Sequence, residues 1–377
     1  MKQHIYADNA ATTQLDKGAF EAMIQWLFEE YGNASQPYAF ARKPKRALAE
    51  ARETIASCIN ARPEEIFFTS GGTESDNWVI KSSAFSDPNQ RATITSAFEH
   101  HAVLHSCEFV ERLGYPVAYI RPTASGEIRP EILEDYLTNN TRLVSVMFAN
   151  NELGSIQPIK RLCEVTHAHG ALFHTDAVQA VGHLKIDVQE LGIDMLSASA
   201  HKFNGPKGIG FLYIRKGVEL MQYIDGGSQE SGHRAGTENI ASIVGMATAL
   251  KNNCDKLEYN QRHILTLEKQ LLYGLDEVGL KYLRNGGANT LPGLISLSFS
   301  GADGEAILHR MDLMGISIST GSACNSVNTE ISHVLKVISL DESLAKGTIR
   351  ISLGKDNTKE DVRAIITALA KIVPLYK

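Results

Sequence analysis

Helical and strand-like spacings of apolar residues alternate along the chain between residues 16 and 255. The run ARKPKRALAEARETIASCIN has the spacing of an amphipathic helix, and EIFFTS after it is a short apolar run typical of a strand. GGTESDNWVIKSSAF predicts a second helix, and further strands are predicted in RLVSVMFA, ALFHTD, DMLSASA and IGFLYI. Strands that alternate with helices indicate an α/β fold with a mostly parallel sheet covered on both faces.

The pattern changes after Cys254. NQRHILTLEKQLLYGLDEVG predicts an amphipathic helix, and LISLSFS and TIRISLG predict strands of a separate sheet. We therefore predict a large domain over residues 16–255 and a smaller α+β domain formed by residues 1–15 plus 256–377.

Composition and charge narrow the class of protein. Hydrophobic residues make up 43% of the 377 positions and charged residues 21%, which is typical of a globular protein with a large core. The net charge of -6 argues against a surface that coats nucleic acid. The first residues, MKQHIYADNAATT, lack the apolar core of a signal peptide, and no uninterrupted apolar run is long enough to cross a membrane. We expect a cytoplasmic protein with no membrane partner and no direct contact to nucleic acid.

One of the five cysteines differs from the others in its surroundings. Cys58, Cys107, Cys163 and Cys254 lie in predicted helices, where cysteine usually acts as a small hydrophobic residue. Cys324 lies in STGSACNSVNTE, a run of small and polar residues without helical or strand periodicity. Such a segment is where an accessible, reactive thiol is expected.

Four predicted strands are followed by polar or glycine-rich clusters: TSGGTESDN, ANNELG, HTDAVQA and SASAHKFNGPKG. Ligands of open α/β sheets bind outside the carboxyl ends of the strands, so these clusters predict one shared site. In the first cluster, Gly71 and Gly72 allow close approach of the backbone, and Thr73 begins a helix whose free N–H groups favour an anion. Alone, the same residues are also typical of a turn and a helix N-cap.

Asp176 and Lys202 end two successive strands of this series. A pyridine cofactor needs such a pair, because an amine forms a Schiff base with it and a carboxylate keeps its ring nitrogen protonated. Taken singly, Asp176 could be a helix N-cap and Lys202 a solvated surface residue. Their position on adjacent strand ends, beside Gln179 and Ser199, favours the cofactor site.

The histidines raise the question of a metal, since His101 and His105 lie four residues apart on a predicted helix. A metalloprotease helix has a glutamate after the first histidine, whereas this chain has His-Ala-Val-Leu-His. We expect exposed helical histidines and no catalytic metal.

Taken together, the motifs resemble those of the cysteine desulfurases, in order and spacing over almost the whole chain from ADNAATT onward. The motifs that carry the resemblance are TSGGTESDN, EHHAVL, NNELG, HTDAVQ, SAHKFNGPKGIG, GHRAGTEN, TGSAC and TIRISLG. The resemblance implies a dimeric fold-type I pyridoxal-phosphate enzyme. It further implies that sulfur is removed from L-cysteine to give L-alanine and a persulfide on Cys324, which is passed to an acceptor protein.

Carried over position by position, the resemblance gives roles to single residues. Lys202 would be the Schiff-base lysine, Asp176 the partner of the pyridinium nitrogen and Cys324 the sulfur acceptor. His100 would lie on the cofactor ring and help to deprotonate the Cys324 thiol, and Gln179 would hydrogen-bond the phenolic oxygen.

The same resemblance implies residues for the phosphate and the substrate. The phosphate would be bound by Gly72 through its N–H, by Thr73, Ser199 and His201, and by Thr237 reaching over from the opposite subunit. Asn151 would contact the cofactor and the substrate carboxylate, and Arg350 would hold that carboxylate with a bidentate fork.

Several alternatives stay open. An aminotransferase or a selenocysteine lyase would keep the cofactor and change the reaction, and Cys324 argues against the aminotransferase because that reaction needs no loop cysteine. A catalytically inactive scaffold is disfavoured by the presence of Lys202, Asp176 and Cys324. The length of the segment from Cys324 to His333 is similar to that of desulfurases for iron–sulfur cluster assembly. The sulfur recipient is left open between a cluster scaffold, a tRNA-thiolation enzyme and a DNA-sulfur-modification system.

Overall fold

The computed structural model describes residues 4–86, 92–320 and 331–376, so Cys324 lies outside the described residues. In these three ranges α-helices and β-strands alternate from residue 66 to residue 199. The helices are α1 Lys17–Phe28, α2 Arg42–Cys58, α3 Gly72–Ser86, α4 His101–Arg112, α5 Pro130–Tyr136, α6 Ile159–Ala168, α7 Val188–Leu191, α8 Ile240–Asp255, α9 Leu257–Glu277, α10 Gly304–Leu313, α11 His333–Val337, α12 Glu342–Lys346 and α13 Lys359–Ile372. The strands are β1 Ile5–Tyr6, β2 Ile66–Thr69, β3 Ala92–Ser96, β4 Val117–Ile120, β5 Thr141–Ser145, β6 Leu172–Asp176, β7 Met195–Ser199, β8 Gly210–Ile214, β9 Leu283–Arg284, β10 Leu294–Ser298, β11 Ile316–Ser317 and β12 Thr348–Ser352.

Seven strands form one large sheet in the order β2-β8-β7-β6-β5-β3-β4. All neighbours are parallel except β8, which runs antiparallel to both β2 and β7. The predicted α/β class with a mostly parallel sheet is therefore confirmed. The carboxyl ends of β2, β5, β6 and β7 lie at one edge, as the sequence predicts.

Successive residues of the central strands enter different cores on the two faces of the sheet. Phe68 packs with helices α2, α6 and α8, whereas its neighbour Phe67 packs with α3 and α4. Likewise, Leu143 of β5 belongs to the core that contains Phe67, and the next residue, Val144, belongs to the core that contains Phe68. Side chains of a strand point alternately to opposite faces, so continuous apolar runs such as IFFT are needed where both faces are buried.

A further hydrophobic core contains Ala7 together with side chains between Ile264 and Val373. It packs α9, α10 and α13 against an antiparallel sheet of order β12-β10-β9. The parallel pair β1–β11 brings the start of the chain to this region. The predicted helix after Cys254 and the strands LISLSFS and TIRISLG correspond to α9, β10 and β12. The domain limits at residues 15/16 and 255/256 stay a prediction.

Among the described helices, none combines the length and the apolar character that a bilayer span requires.

Candidate active site

A cavity of about 420 Å³ opens where β2, β5, β6 and β7 end. Side chains from all four polar clusters at the ends of these strands line it. Thr237 does not line it, and Cys324 lies outside the described residues. The other predicted site residues all line the cavity: Gly72, Thr73, His100, Asn151, Asp176, Gln179, Ser199, His201, Lys202 and Arg350.

Asp176 is the last residue of β6 and is 5% exposed. Its Oδ1 accepts the backbone N–H of Val178 at 2.9 Å. Burial raises the pKa of Asp176 to about 6, while that N–H and the positive charge of Lys202 favour the ionised form. A carboxylate that is buried at the cavity wall and still ionised at pH 7 can stabilise a positive charge on a ligand.

Lys202 ends a short 3-10 turn, Ala200–Lys202, that comes after β7. Its Nζ donates to the carbonyl oxygens of Ala10 and Ala11 at 2.6 and 2.9 Å. The carbonyl of Lys202 accepts the Nε2–H of His183 at 2.8 Å. One set of bonds therefore fixes the Lys202 amine and another fixes its backbone, and Ala10 and Ala11 of the segment ADNAATT form part of the wall.

The N-terminus of α3 forms another part of the wall. Gly71 has φ +150°, a conformation that L side chains rarely adopt, and a Cβ at Gly72 would come within 2.5 Å of Val178 Cγ2. Glycine at both positions thus lets the start of this 15-residue helix lie against the turn after Asp176. The free N–H groups at the start of α3 and the hydroxyl groups of Thr73 and Ser199 are donors at the cavity wall. Such a set of donors is suited to an anion.

His100 is the N-cap of α4, and its Nδ1 accepts the N–H of Ala102 at 3.1 Å. Burial, with a smaller effect of the Lys202 charge, lowers the pKa of His100 to about 4. The imidazole is therefore neutral at pH 7, and because Nδ1 accepts, the proton resides on Nε2. Gln179 donates through Nε2 to the carbonyl of Ala10 at 2.9 Å, which fixes its side chain.

Arg350, in the middle of β12, is 4% exposed. Its Nη1 donates to the carbonyl of Asn151 at 2.8 Å, and its Nη2 pairs with Asp8 Oδ1 at 2.8 Å. Its Nε–H is buried and has no hydrogen-bond partner within the described ranges. A buried guanidinium whose Nε–H is unused at a cavity wall is suited to a carboxylate ligand.

The cavity wall has two sides, which are built from different elements. The sheet side consists of Gly72, Thr73, Asp176, Ser199, His201 and Lys202. The arginine side consists of Asn151, Glu152, Ser332 and Arg350.

Three buried acids of the wall carry no separate signal in the sequence: Asp76, Glu99 and Glu152. Burial raises the pKa of Glu99 to about 8 and that of Glu152 to about 7, and burial and the charge of Asp176 raise the pKa of Asp76. They lie inside the motifs TSGGTESDN, EHHAVL and NNELG, close to predicted residues. That position inside a motif is the signal by which they could have been found.

No group of three or more His, Cys, Asp or Glu side chains is arranged to hold a metal ion in the part of the chain that the structure describes. His101 and His105 stack with ring centroids 5.0 Å apart, and His333 lies 4.8 Å from His101.

The wall fits the group that the sequence predicts, pyridoxal phosphate. The glycine-lined start of α3 suits a phosphate, the buried Asp176 suits a protonated ring nitrogen, and Lys202 presents an amine. All three features lie on one cavity.

A seven-stranded, mostly parallel sheet with a lysine and a buried aspartate at adjacent strand ends defines the architecture of a fold-type I enzyme. The sequence model of the aminotransferase class-V family matches residues 5–365. The cysteine desulfurase IscS of Dictyoglomus turgidum is 45% identical over 375 residues, covering 99% of this chain and 95% of that protein. The chain therefore belongs to the class-V aminotransferases and, among them, to the cysteine desulfurases.

Solved structures agree with this placement. A NifS-like protein superposes with a TM-score of 0.93 at 36% identity, and the match covers 99% of this chain and 100% of that protein. The structure described as SspA in complex with cysteine has a TM-score of 0.84 at 37% identity and covers 94% of this chain and 100% of its own. The predicted fold type is thereby confirmed.

Proposed function

We propose that this chain is a pyridoxal-phosphate-dependent cysteine desulfurase that removes the sulfur of L-cysteine and leaves L-alanine. The observation that carries the proposal is the presence of Lys202 and the buried Asp176 on one cavity, in a chain of this family. The desulfurase relatives favour this reaction over the aminotransferase alternative.

When bound, pyridoxal phosphate supplies an aldehyde that bonds to an amine and a protonated ring that withdraws electrons from neighbouring bonds. We assign that amine to Lys202. Asp176, ionised at pH 7, would hold the proton on the ring nitrogen. Gln179 would donate to the phenolic oxygen, and His100 would lie against the ring as a neutral imidazole with its proton on Nε2.

For the phosphate, we assign the N–H of Gly72 at the start of α3 and the side chains of Thr73, Ser199 and His201. The support is that the helix N-terminus and the two hydroxyl groups face one cavity wall. Thr237 is exposed and lies away from the cavity of its own chain, which supports a contact to the opposite subunit of a homodimer.

For the substrate carboxylate, we assign Arg350 and Asn151. The support is the buried Nε–H of Arg350, which lacks a partner among the described residues although both Nη atoms have one. A carboxylate beside this guanidinium would complete its hydrogen bonds and orient the substrate amine toward Lys202. The freed Lys202 amine would then move the proton at the substrate Cα.

We assign the acceptance of sulfur to Cys324, on the sequence match alone. Its thiolate would attack the substrate sulfur, so that an S–S bond forms while the C–S bond breaks and its electron pair stays with the carbon skeleton. Protonation of Cβ and return of the proton that Lys202 took from Cα give L-alanine, and the sulfur remains on Cys324 as a persulfide. An acceptor protein would then take the sulfur. Because the first residues lack the apolar core of a signal peptide, we place the enzyme in the cytoplasm.

The test is incubation of the purified protein with L-cysteine, with subsequent quantification of alanine and mass spectrometry of the peptide that contains Cys324. We expect alanine and a mass increase of one sulfur atom that a thiol reductant reverses. The Cys324→Ser variant should retain the cofactor and form neither. Sulfur on a different cysteine would contradict the assignment, and the absence of alanine from the parent would contradict the proposed reaction.

A further inference from the structure

Glu152 is a buried carboxylate in the arginine side of the cavity, 6% exposed. It lies in a tight turn after β5, where the Asn150 side chain accepts the N–H groups of Glu152 and Leu153, both at 2.9 Å. The same side chain donates to the carbonyl of Phe98 at 2.9 Å. The backbone of Glu152 is thus fixed, and its side chain has a defined direction into the protein.

That side chain contacts the start of α11. The Ser332 hydroxyl donates to Glu152 Oε2 at 2.5 Å and accepts the N–H of Val334 at 3.1 Å as the helix N-cap. A second bond runs from His333 Nε2 to the carbonyl of Glu99 at 3.0 Å. Two bonds from separate parts of the wall therefore hold α11, and its N-cap Ser332 lines the cavity together with His333 and Lys336 of the helix.

The turn of Glu152 also supports the arginine. The carbonyl of Asn151, the preceding residue, accepts Arg350 Nη1 at 2.8 Å, and the charge of Arg350 stabilises the Glu152 carboxylate. A movement of this turn would shift Arg350 and α11 together. Glu152 and Ser332 are both buried, so a substitution of either one would leave the other polar group without its partner and out of reach of water. This contact therefore contributes more than a surface pair.

We propose that Glu152 is a positioning residue that fastens the N-terminus of α11 to the turn supporting Arg350, and so sets the geometry of the arginine side for the substrate carboxylate. Because Arg350 holds that carboxylate only if the proposed function holds, the role of Glu152 rests on that proposal. Displacements of about 1 Å at such groups can lower turnover by about 100-fold, so a secondary contact of this kind is sufficient to affect catalysis.

The experiment compares Glu152→Ala, Ser332→Ala, the double variant and Glu152→Gln, with the exposed Glu127→Ala as matched control. Hydrogen exchange of the α11 amides is measured on the purified holoenzyme before substrate is added, and KM and kcat for L-cysteine are measured separately. We expect each alanine variant to exchange at least about tenfold faster in α11 and to show a KM raised about tenfold, as loss of one buried hydrogen bond predicts. The double variant should exchange as fast as Ser332→Ala, because Ser332→Ala already removes the bond to Glu152 together with the N-cap bond to Val334. Glu152→Gln keeps an acceptor for Ser332 and should restore most of the loss.

Parental exchange in Glu152→Ala, or effects of the two substitutions that multiply in the double variant, would overturn the proposed contact. Faster exchange with unchanged KM and kcat would overturn the positioning role. A parent enzyme that does not consume L-cysteine would instead contradict the proposed function, while the exchange comparison would still decide whether Glu152 holds α11.

Discussion

The sheet side and the arginine side of the cavity differ in how the chain assembles them. On the sheet side, Asp176 and Lys202 end adjacent strands and Gly72 begins the helix after β2, so backbone hydrogen bonds of one sheet set their spacing. On the arginine side, the turn of Asn151 and Glu152 meets Ser332 and Arg350 from other parts of the chain. The Ser332 side chain bonds Glu152, and the Arg350 side chain bonds the carbonyl of Asn151. A site built on strand ends is placed by the fold itself, whereas a site joined by side chains depends on each contact.

This difference predicts different consequences of substitution. Changes on the sheet side should alter cofactor binding and chemistry while the remaining wall stays in place. Changes on the arginine side should leave the cofactor bound and alter KM for L-cysteine. Single substitutions on each side test that separation.

Lys202→Ala should have the largest effect. We expect loss of the covalent bond to the cofactor and a fall in turnover of at least about 100-fold, because the amine both attaches the cofactor and moves a proton. Absorbance of the bound cofactor and alanine release are the measurements. Lys207→Ala, at an exposed lysine of the same segment, is the control and should behave like the parent. A Lys202→Ala protein whose cofactor is still trapped by borohydride would contradict the assignment.

Asp176→Asn should lower turnover by about 100- to 1000-fold, as expected when a buried charge that stabilises the reacting group is lost. KM should change little, since Asp176 is not assigned to the substrate. The matched control is Asp194→Asn, a buried acid that pairs with Arg215 and His167 away from the cavity. It should lower thermal stability and leave kcat near the parental value. Equal losses of kcat in both variants would mean that Asp176 acts through the fold alone.

Arg350→Lys should raise KM by about 10- to 100-fold with the cofactor still bound, because lysine cannot reproduce a bidentate fork and leaves Asp8 or Asn151 without its partner. Arg284→Lys is the control, since Arg284 lies in the same antiparallel sheet, pairs with the buried Glu268 of α9 and does not line the cavity. Loss of cofactor from the Arg350 variant would show that the two sides of the cavity are not separable.

The same distinction explains how far the sequence predicts this molecule. The strands at residues 66–69, 172–176 and 195–199 and the residues at their ends are predictable because each motif is local and the sheet brings strand ends together. The bond between Glu152 and Ser332 joins residues 180 positions apart, and the contact of Lys202 with the carbonyl of Ala10 spans 192. No local pattern encodes such pairs. The two-residue strands β1 and β11 are likewise too short to carry a periodicity.

Glu99→Gln should have the smallest effect on turnover, within about twofold at pH 7, because a neutral carboxyl and an amide have similar shape and polarity. Burial raises the pKa of Glu99 to about 8 from an ordinary value of 4.5, so the parent side chain is neutral at pH 7. Glutamine Oε1 can accept the Ser96 hydroxyl and the Met147 N–H that Glu99 Oε1 accepts now. The two proteins should differ in the pH dependence of their free energy of unfolding, although their turnover is similar.

The raised pKa of Glu99 sets the sign of that difference. The folded parent binds the Glu99 proton more tightly than the unfolded chain does, so this residue contributes most to stability below pH 4.5, and the contribution is lost as the pH rises toward 8. Glutamine does not titrate. As the pH rises from 4.5 to 8, the free energy of unfolding of Glu99→Gln should therefore increase relative to that of the parent by up to about 1.4 kcal/mol per pH unit. Above pH 8 the difference between the two proteins should stay constant. Urea unfolding of both proteins at pH 5, 6, 7, 8 and 9 measures the difference. A constant difference across this series would mean that Glu99 is ionised in the folded protein, and an ionised Glu99 replaced by glutamine should also lower turnover at pH 7.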